Sequence, residues 1–267
     1  MMRTVGVIGC GNMGGAILCG LADALAGKYA FCGHTRTPSR LAPLTDKGVV
    51  VMPDAKALTR EADVVLLGVK PYQVAAVVEE IRPCLDRKKL LVSIAAGISL
   101  KRLRALAQDA CPVIRCMPNT PALVGKGVFA LCLEDETLTQ AGRDEALFLF
   151  GTLGLTLPLP EAQFTAFSAL IGAGPAYVFA MMQGLAQAGV TLGFGHQQVR
   201  ELVTALFAGS AGLAEARPEH LTQLRDAVCS PAGLTIAGVN ALDRAGLTGL
   251  LVDAVLAADA RGREMEE

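Results

Sequence analysis

The chain has no tryptophan among its 267 residues, and aromatic side chains make up only 4% of it. Its 29 glycines suit tightly packed small side chains instead. The three histidines, His34, His196 and His220, stand far apart. They form no Ser-His-Asp array and show no metal-ligand spacing, so they read as surface or packing residues and no metal is expected. Charge of one sign is also missing. Net charge is −1 with acidic and basic residues scattered, which leaves no basic face for nucleic acid. The eight cysteines include no Cys-x-x-Cys pair, so reduced and mostly buried thiols in a cytoplasmic protein are expected. The N-terminus runs straight into an apolar strand and reads as neither signal nor transit peptide. No lysine follows Lys126, and residues 162–199 carry no formally charged side chain. Length and hydropathy alone would let 171–190 span a bilayer. Gly172, Gly174 and Pro175 interrupt it, however, and Gln183 and Gln187 share one helical face, so a buried helix at a subunit interface explains the same residues and no membrane is expected.

What is present is an alternation of apolar runs and helical patterns. Val5–Ile8, Ala30–Cys32, Val49–Met52, Val64–Val69, Leu90–Ile94 and Val113–Met117 read as strands. Helical spacing separates most of them, for example at Tyr72–Ile81 and Leu100–Ala107. Such a chain folds as a parallel sheet covered on both faces. Leu155–Leu159, with Pro158 inside it and Pro160 directly after it, reads as the boundary, and the remainder reads as helical. The expected class is therefore α/β, a Rossmann-like doubly wound parallel sheet over 1–160 followed by an all-helical domain over 161–267.

The first strand leads directly into Gly9-Cys10-Gly11-Asn12-Met13-Gly14 and then a helix. In that context the three glycines fit a dinucleotide. Gly9 makes the turn, Gly11 lets a pyrophosphate approach the backbone, and Gly14 lets helix and strand pack closely. The end of the second strand selects the cofactor. An NAD-binding chain places Asp or Glu there, whereas this one reads His34-Thr35-Arg36-Thr37-Pro38-Ser39-Arg40. With no carboxylate present, Arg36 and the hydroxyls of Thr35 and Thr37 suit a 2′-phosphate, so NADPH is expected, with NADH possible. Ligands of such sheets lie beyond the C-terminal strand ends. That places Val69-Lys70-Pro71, Ala95-Ala96-Gly97 and Asn119 at the cofactor, with Lys70 in a positional role. Asn119 either bonds the cofactor or caps its turn.

The run Asp226–Gly238 contains Ser230-Pro231-Ala232-Gly233-Leu234-Thr235-Ile236. Ser230 reads as an N-cap and Pro231 as the first helical residue. Backbone N–H groups around Gly233–Thr235 would then face a small carboxylate at the positive end of the helix dipole. The run resembles the C-terminal signature of the pyrroline-5-carboxylate reductase family, whose members usually read Ser-Pro-Gly-Gly-Thr-Thr-Ile. Ser230, Pro231, Gly233, Thr235 and Ile236 match, while Ala232 and Leu234 depart. The Lys70, Ala95–Gly97 and Met117–Pro121 segments resemble motifs of the same family. Leu170–Tyr177 is similar to its Ser-Gly-Ser-Gly-Pro-Ala-Tyr segment, with Ile171 and Ala173 replacing the serines. The asparagine common after the family's third strand is absent, since Ala55 follows Pro53-Asp54 here.

The resemblance, which runs from about Val5 to Arg263, implies hydride transfer from NADPH to the cyclic imine 1-pyrroline-5-carboxylate, giving L-proline. It also implies a homodimer, and in some members a ring of dimers, with interleaved C-terminal helices and active sites that borrow residues from the neighbouring subunit. The expected substrate residues are Ser230, Gly233, Leu234 and Thr235, with Thr235 also catalytic near the ring nitrogen. Two alternatives stay open at this level: a catalytically silent NADPH-binding paralogue, or a reductase of a related cyclic imine or 3-hydroxy acid.

Overall fold

The computed structural model describes residues 2–266. In chain order it contains β1 (Arg3–Ile8), α1 (Asn12–Ala24), β2 (Tyr29–His34), α2 (Ala42–Thr45), β3 (Val49–Val51), α3 (Ala55–Glu61), β4 (Val64–Leu67) and α4 (Pro71–Ile81). Then come β5 (Leu90–Ser93), α5 (Leu100–Ala107), β6 (Val113–Met117), β7 (Gly127–Cys132), α6 (Gln140–Gly151), β8 (Gly154–Pro158) and α7 (Phe164–Phe167). Five helices complete the chain: α8 (Gly174–Thr191), α9 (His196–Ala216), α10 (Leu221–Ala227), α11 (Leu234–Arg244) and α12 (Leu247–Glu266).

The eight strands form one sheet in the order β3-β2-β1-β4-β5-β6-β7-β8. Successive side chains of a strand point to opposite faces, and here both faces are covered. Val5 and Val7 of β1, Val64 and Leu66 of β4, and Phe129 and Leu131 of β7 join one buried cluster with Ile17, Leu18 and Leu21 of α1. Ile8, Val65, Leu67 and Val113 join the other with Leu58 of α3, Val74 and Val78 of α4, and Leu103 of α5. This two-sided burial explains why the strands read as continuous apolar runs rather than as alternations. It also confirms the expected α/β class.

The far edge of the sheet differs from the expectation. The expected boundary segment Leu155–Leu159 supplies a further strand: residues through Pro158 form β8, which pairs in parallel with β7. β7 runs antiparallel to β6, so the sheet is mostly rather than wholly parallel. Both prolines lie toward or beyond the end of this outermost strand, where a missing N–H is tolerated. Asn119 ties the turn between β6 and β7, its side-chain oxygen accepting from Val128 N at 2.8 Å.

The chain divides into two compact units, Met1–Gly172 with Asp259–Glu267, and Ala173–Ala258. In the first, Arg115 of β6 is buried, bonds Glu161 at 3.2 Å and lies 4.8 Å from the Phe164 ring centroid. The last turns of α12 pack there too, since a Cβ on Gly262 would stand 2.7 Å from Thr165 Cγ2. The second unit is helical throughout and buries only Val199 and Val203. Large apolar side chains are exposed along it, among them Phe179, Leu192, Leu206 and Leu250. The helical segment Glu161–Thr191 is long and apolar enough to cross a membrane, with an 18-residue window of mean hydropathy 1.5.

Phe129 is fully buried, with its ring centroid 5.3 Å from that of Phe150. Phe129→Ala should cost about 3–5 kcal/mol in the urea unfolding of the sheet unit. A loss below about 1 kcal/mol would contradict this packing of β7 against α6.

Candidate functional site

The dinucleotide fingerprint is built on a close backbone junction. Gly9 leaves β1 with φ +92°, a conformation that L side chains rarely adopt. A Cβ on Gly14 would stand 2.3 Å from the Gly9 carbonyl oxygen, and one on Gly68 would stand 2.5 Å from the same atom. Gly68 directly follows β4, so three glycines bring the ends of β1 and β4 against the start of α1. Gly11, the N-cap of α1, differs from them. A Cβ there would meet only Arg40 Nη1, at 3.6 Å, so this face of the loop is open. An open glycine at a helix start, with no side chain capping it, fits a pyrophosphate.

Beside the junction lies a cleft of roughly 400 Å³ lined by Gly9, Gly11, Thr35, Arg36, Val69 and Lys70 among others. Six of the expected cofactor residues are thus brought together. Asn12 lies with Gly11 on the adjoining groove along α1, and Met13 packs against the core. Arg36 is exposed and Thr35 half-buried at the end of β2. His34 is a packing residue whose ring nitrogen Nδ1 lies 3.1 Å from Met52 O. Lys70 is exposed and precedes Pro71, the first residue of α4, and its N–H donates to Gln73 Oε1 at 3.2 Å. Glu80, from α4, is the acidic residue in the lining. Ala55 is buried in the cleft wall, while Asp54 caps α3 by accepting from Ala57 N at 2.7 Å.

The other strand-end residues are placed apart from this cleft. Ala95 is buried, Ala96 exposed, and Gly97 has φ +71°. Asn119 is buried, and besides accepting from Val128 N it donates to Ile171 O at 3.4 Å. Its side chain thus fastens the turn between β6 and β7. Cys10, inside the fingerprint, is 2% exposed, and burial pushes its thiol up to about 12. Sequence reasoning missed Gly68 and Arg40 as parts of this site. A glycine directly after an apolar strand run, and a second arginine in the loop after β2, were the signals.

The 226–238 loop differs from its expected cap. Ser230 is not the N-cap and Pro231 is not the first helical residue, because Gly233 is the N-cap and α11 starts at Leu234. Ser230–Gly233 forms a tight turn closed by Gly233 N donating to Ser230 O at 3.0 Å. Ala232 adopts φ +57° within it, and a helix cannot begin until the chain has left that left-handed conformation. The Gly233 N–H is therefore already bonded. The first-turn donors left without intrahelical partners are those of Leu234, Thr235 and Ile236. Gly233 serves another purpose: a Cβ there would lie 2.2 Å from Ser230 Oγ, so its absence admits the hydroxyl beside the helix start. Leu234 is 95% exposed, and Thr235 is exposed.

A glycine junction opening a helix, set in a mostly parallel sheet and followed by a separate helical unit, defines a dinucleotide-binding oxidoreductase. Residues 161–265 match the family described as pyrroline-5-carboxylate reductase dimerisation, and residues 4–97 match NADP oxidoreductase coenzyme F420-dependent. The Pisum sativum pyrroline-5-carboxylate reductase is 37% identical over 264 residues, covering 98% of this chain and 96% of its own. That of Escherichia coli K12 is 35% identical, covering 96% and 95%. The solved pyrroline-5-carboxylate reductase of Coxiella burnetii superposes with a TM-score of 0.92 at 30% identity, covering 100% of both chains. A Plasmodium falciparum pyrroline carboxylate reductase with NADP bound gives 0.88 at 26%, also covering 100% of both. The chain belongs to the pyrroline-5-carboxylate reductase family.

Gly68→Ala should weaken dinucleotide binding at least tenfold and destabilise the sheet unit by about 1–3 kcal/mol, because the new Cβ meets backbone. Gly15→Ala is the control. Its Cβ would meet Cys10 O at 3.5 Å, an ordinary contact, and both properties should hold. In the 226–238 loop, Ala232→Gly should raise stability by about 0.5–1 kcal/mol by relieving the left-handed alanine, and Ala232→Val should lower it. Equal urea midpoints for all three residues at 232 would contradict that backbone conformation.

Proposed function

We propose that this protein reduces 1-pyrroline-5-carboxylate to L-proline, the last step of proline biosynthesis, with NADPH as the preferred cofactor. The observation that supports this reading best is that similarity to pyrroline-5-carboxylate reductases extends through both the sheet unit and the helical unit. When bound, the dihydronicotinamide supplies the hydride for the imine carbon. Gly9, Gly11, Asn12, Met13 and Gly14 form the cofactor cradle. Thr35 and Arg36 hold the 2′-phosphate, and Val69-Lys70-Pro71, Ala95-Ala96-Gly97 and Asn119 complete the cofactor surroundings.

The N–H groups of Leu234 and Thr235, at the positive end of α11, bind the substrate carboxylate, and Ser230 Oγ adds a donor. Thr235 Oγ1 lies at the substrate ring nitrogen and holds its proton in place. A hydroxyl of ordinary pKa is a weak general acid, so orientation of the ring is its main contribution.

In this reading the functional domains are 1–160 for cofactor and 161–267 for substrate and dimerisation. A helical unit that buries two residues by itself lacks a core of its own. The match to a dimerisation domain supplies the partner, a second copy of this chain. Assembly of dimers into a ring, a cytoplasmic location, and the absence of membrane, metal or nucleic-acid partners belong to the same proposal. Segment 161–191 then owes its apolar character to the subunit interface.

Purified protein mixed with NADPH and 1-pyrroline-5-carboxylate should form proline rapidly, with slower turnover on NADH or on a six-membered imine acid. Thr235→Ala should lower kcat/KM roughly tenfold to 150-fold, equivalent to about 1.5–3 kcal/mol, with NADPH affinity nearly unchanged. NADPH binding without any turnover by the wild type would instead favour the silent paralogue, and a wild-type rate in Thr235→Ala would remove this residue from the site.

A further inference from the structure

Arg40 ends the short 3-10 turn Pro38–Arg40, whose closing bond runs from Arg40 N to Thr37 O at 3.0 Å. The next residue, Leu41, is fully buried against β2, where a Cβ on Gly33 would stand 2.8 Å from Leu41 Cδ2. The backbone of Arg40 is thus anchored to the core while its side chain stays exposed. That side chain reaches back over the fingerprint. Its Nη1 is the one atom beyond Gly11's own neighbours within 4 Å of a Cβ built on Gly11. None of the ion pairs among the described residues uses Arg40. It lines both the cleft containing Thr35 and Lys70 and the groove along α1, whereas Arg36 lines only the cleft.

We infer that the two arginines divide the cofactor's charge, with Arg40 gripping the pyrophosphate and Arg36 the 2′-phosphate. The second fingerprint glycine is where a pyrophosphate comes closest to the backbone. A guanidinium held over that glycine meets phosphates that NADPH and NADH share, and a planar fork of donors suits them. Arg36 follows the end of β2, the place that contacts the ribose bearing the 2′ group. Arg40 is therefore an affinity residue without cofactor preference, and Arg36 is the discriminating one. The inference rests on the dinucleotide reading of the fingerprint.

The test is equilibrium binding of NADPH and of NADH, read by nicotinamide fluorescence, on the full chain without substrate. Arg40→Ala should weaken both cofactors by a similar factor, roughly tenfold to 100-fold, leaving the NADPH/NADH affinity ratio at its wild-type value. Arg36→Ala should weaken NADPH alone and collapse that ratio. Arg40→Lys, which keeps the charge in place, should recover part of the affinity for both cofactors. Unchanged affinities in Arg40→Ala, or a loss confined to NADPH, would overturn the division. If the wild type bound neither cofactor, the dinucleotide reading itself would fall, and the inference with it.

Discussion

The cofactor half of this protein depends on one close approach, the Gly9 carbonyl oxygen wedged between two α-carbons that carry no side chain. Cβ atoms on Gly14 or Gly68 would come within 2.3 and 2.5 Å of that oxygen. Because neither is present, the first turn of α1 reaches the ends of β1 and β4 and its free N–H groups point beyond the sheet. Lys70 and Arg36 line the same cleft because the adjacent strands β4 and β2 end beside β1. The cleft is thus a consequence of backbone packing, and the residues lining it contribute charge and shape to a cradle that already exists.

The two units are stabilised by different means. The sheet unit buries apolar side chains on both faces of an eight-stranded sheet and pairs buried Asp135 internally, its carboxylate accepting from Val113 N and Thr137 N. The helical unit leaves Leu192 79% and Leu250 61% exposed. An apolar surface of that kind needs covering from outside the unit, and burial between subunits is the strongest general source of association energy. In the dimer proposed above, folding and assembly of that half would be coupled.

Much of this was legible in the sequence, for identifiable reasons. A parallel sheet covered on both sides produces apolar runs, and the fingerprint stands where a strand meets a helix, so six strands and six residues lining the cleft could be read directly. β7 escaped because its antiparallel turn with β6 breaks the strand–helix rhythm, and β8 because Pro158 and the nearby Pro160 read as a domain boundary. Gly68 was missed as part of the site, since its role depends on an atom almost sixty residues away in the chain. The cap of α11 was misplaced for a local reason. Ser-Pro is a common helix opening, and only the positive φ of Ala232 shows that a turn intervenes. Family resemblance marked the 226–238 loop as the expected substrate loop, which the physical reading alone described only as a helix start.

Cys10 adds a chemical consequence. Its sulfur lies under the nucleotide loop, donating toward Val7 O at 3.5 Å, and burial keeps it protonated far above neutral pH. Peroxides and disulfides react with thiolates, so a protonated, enclosed thiol is a poor target for them. The loop that grips the reductant thus carries a sulfur closed to sulfenic acid formation.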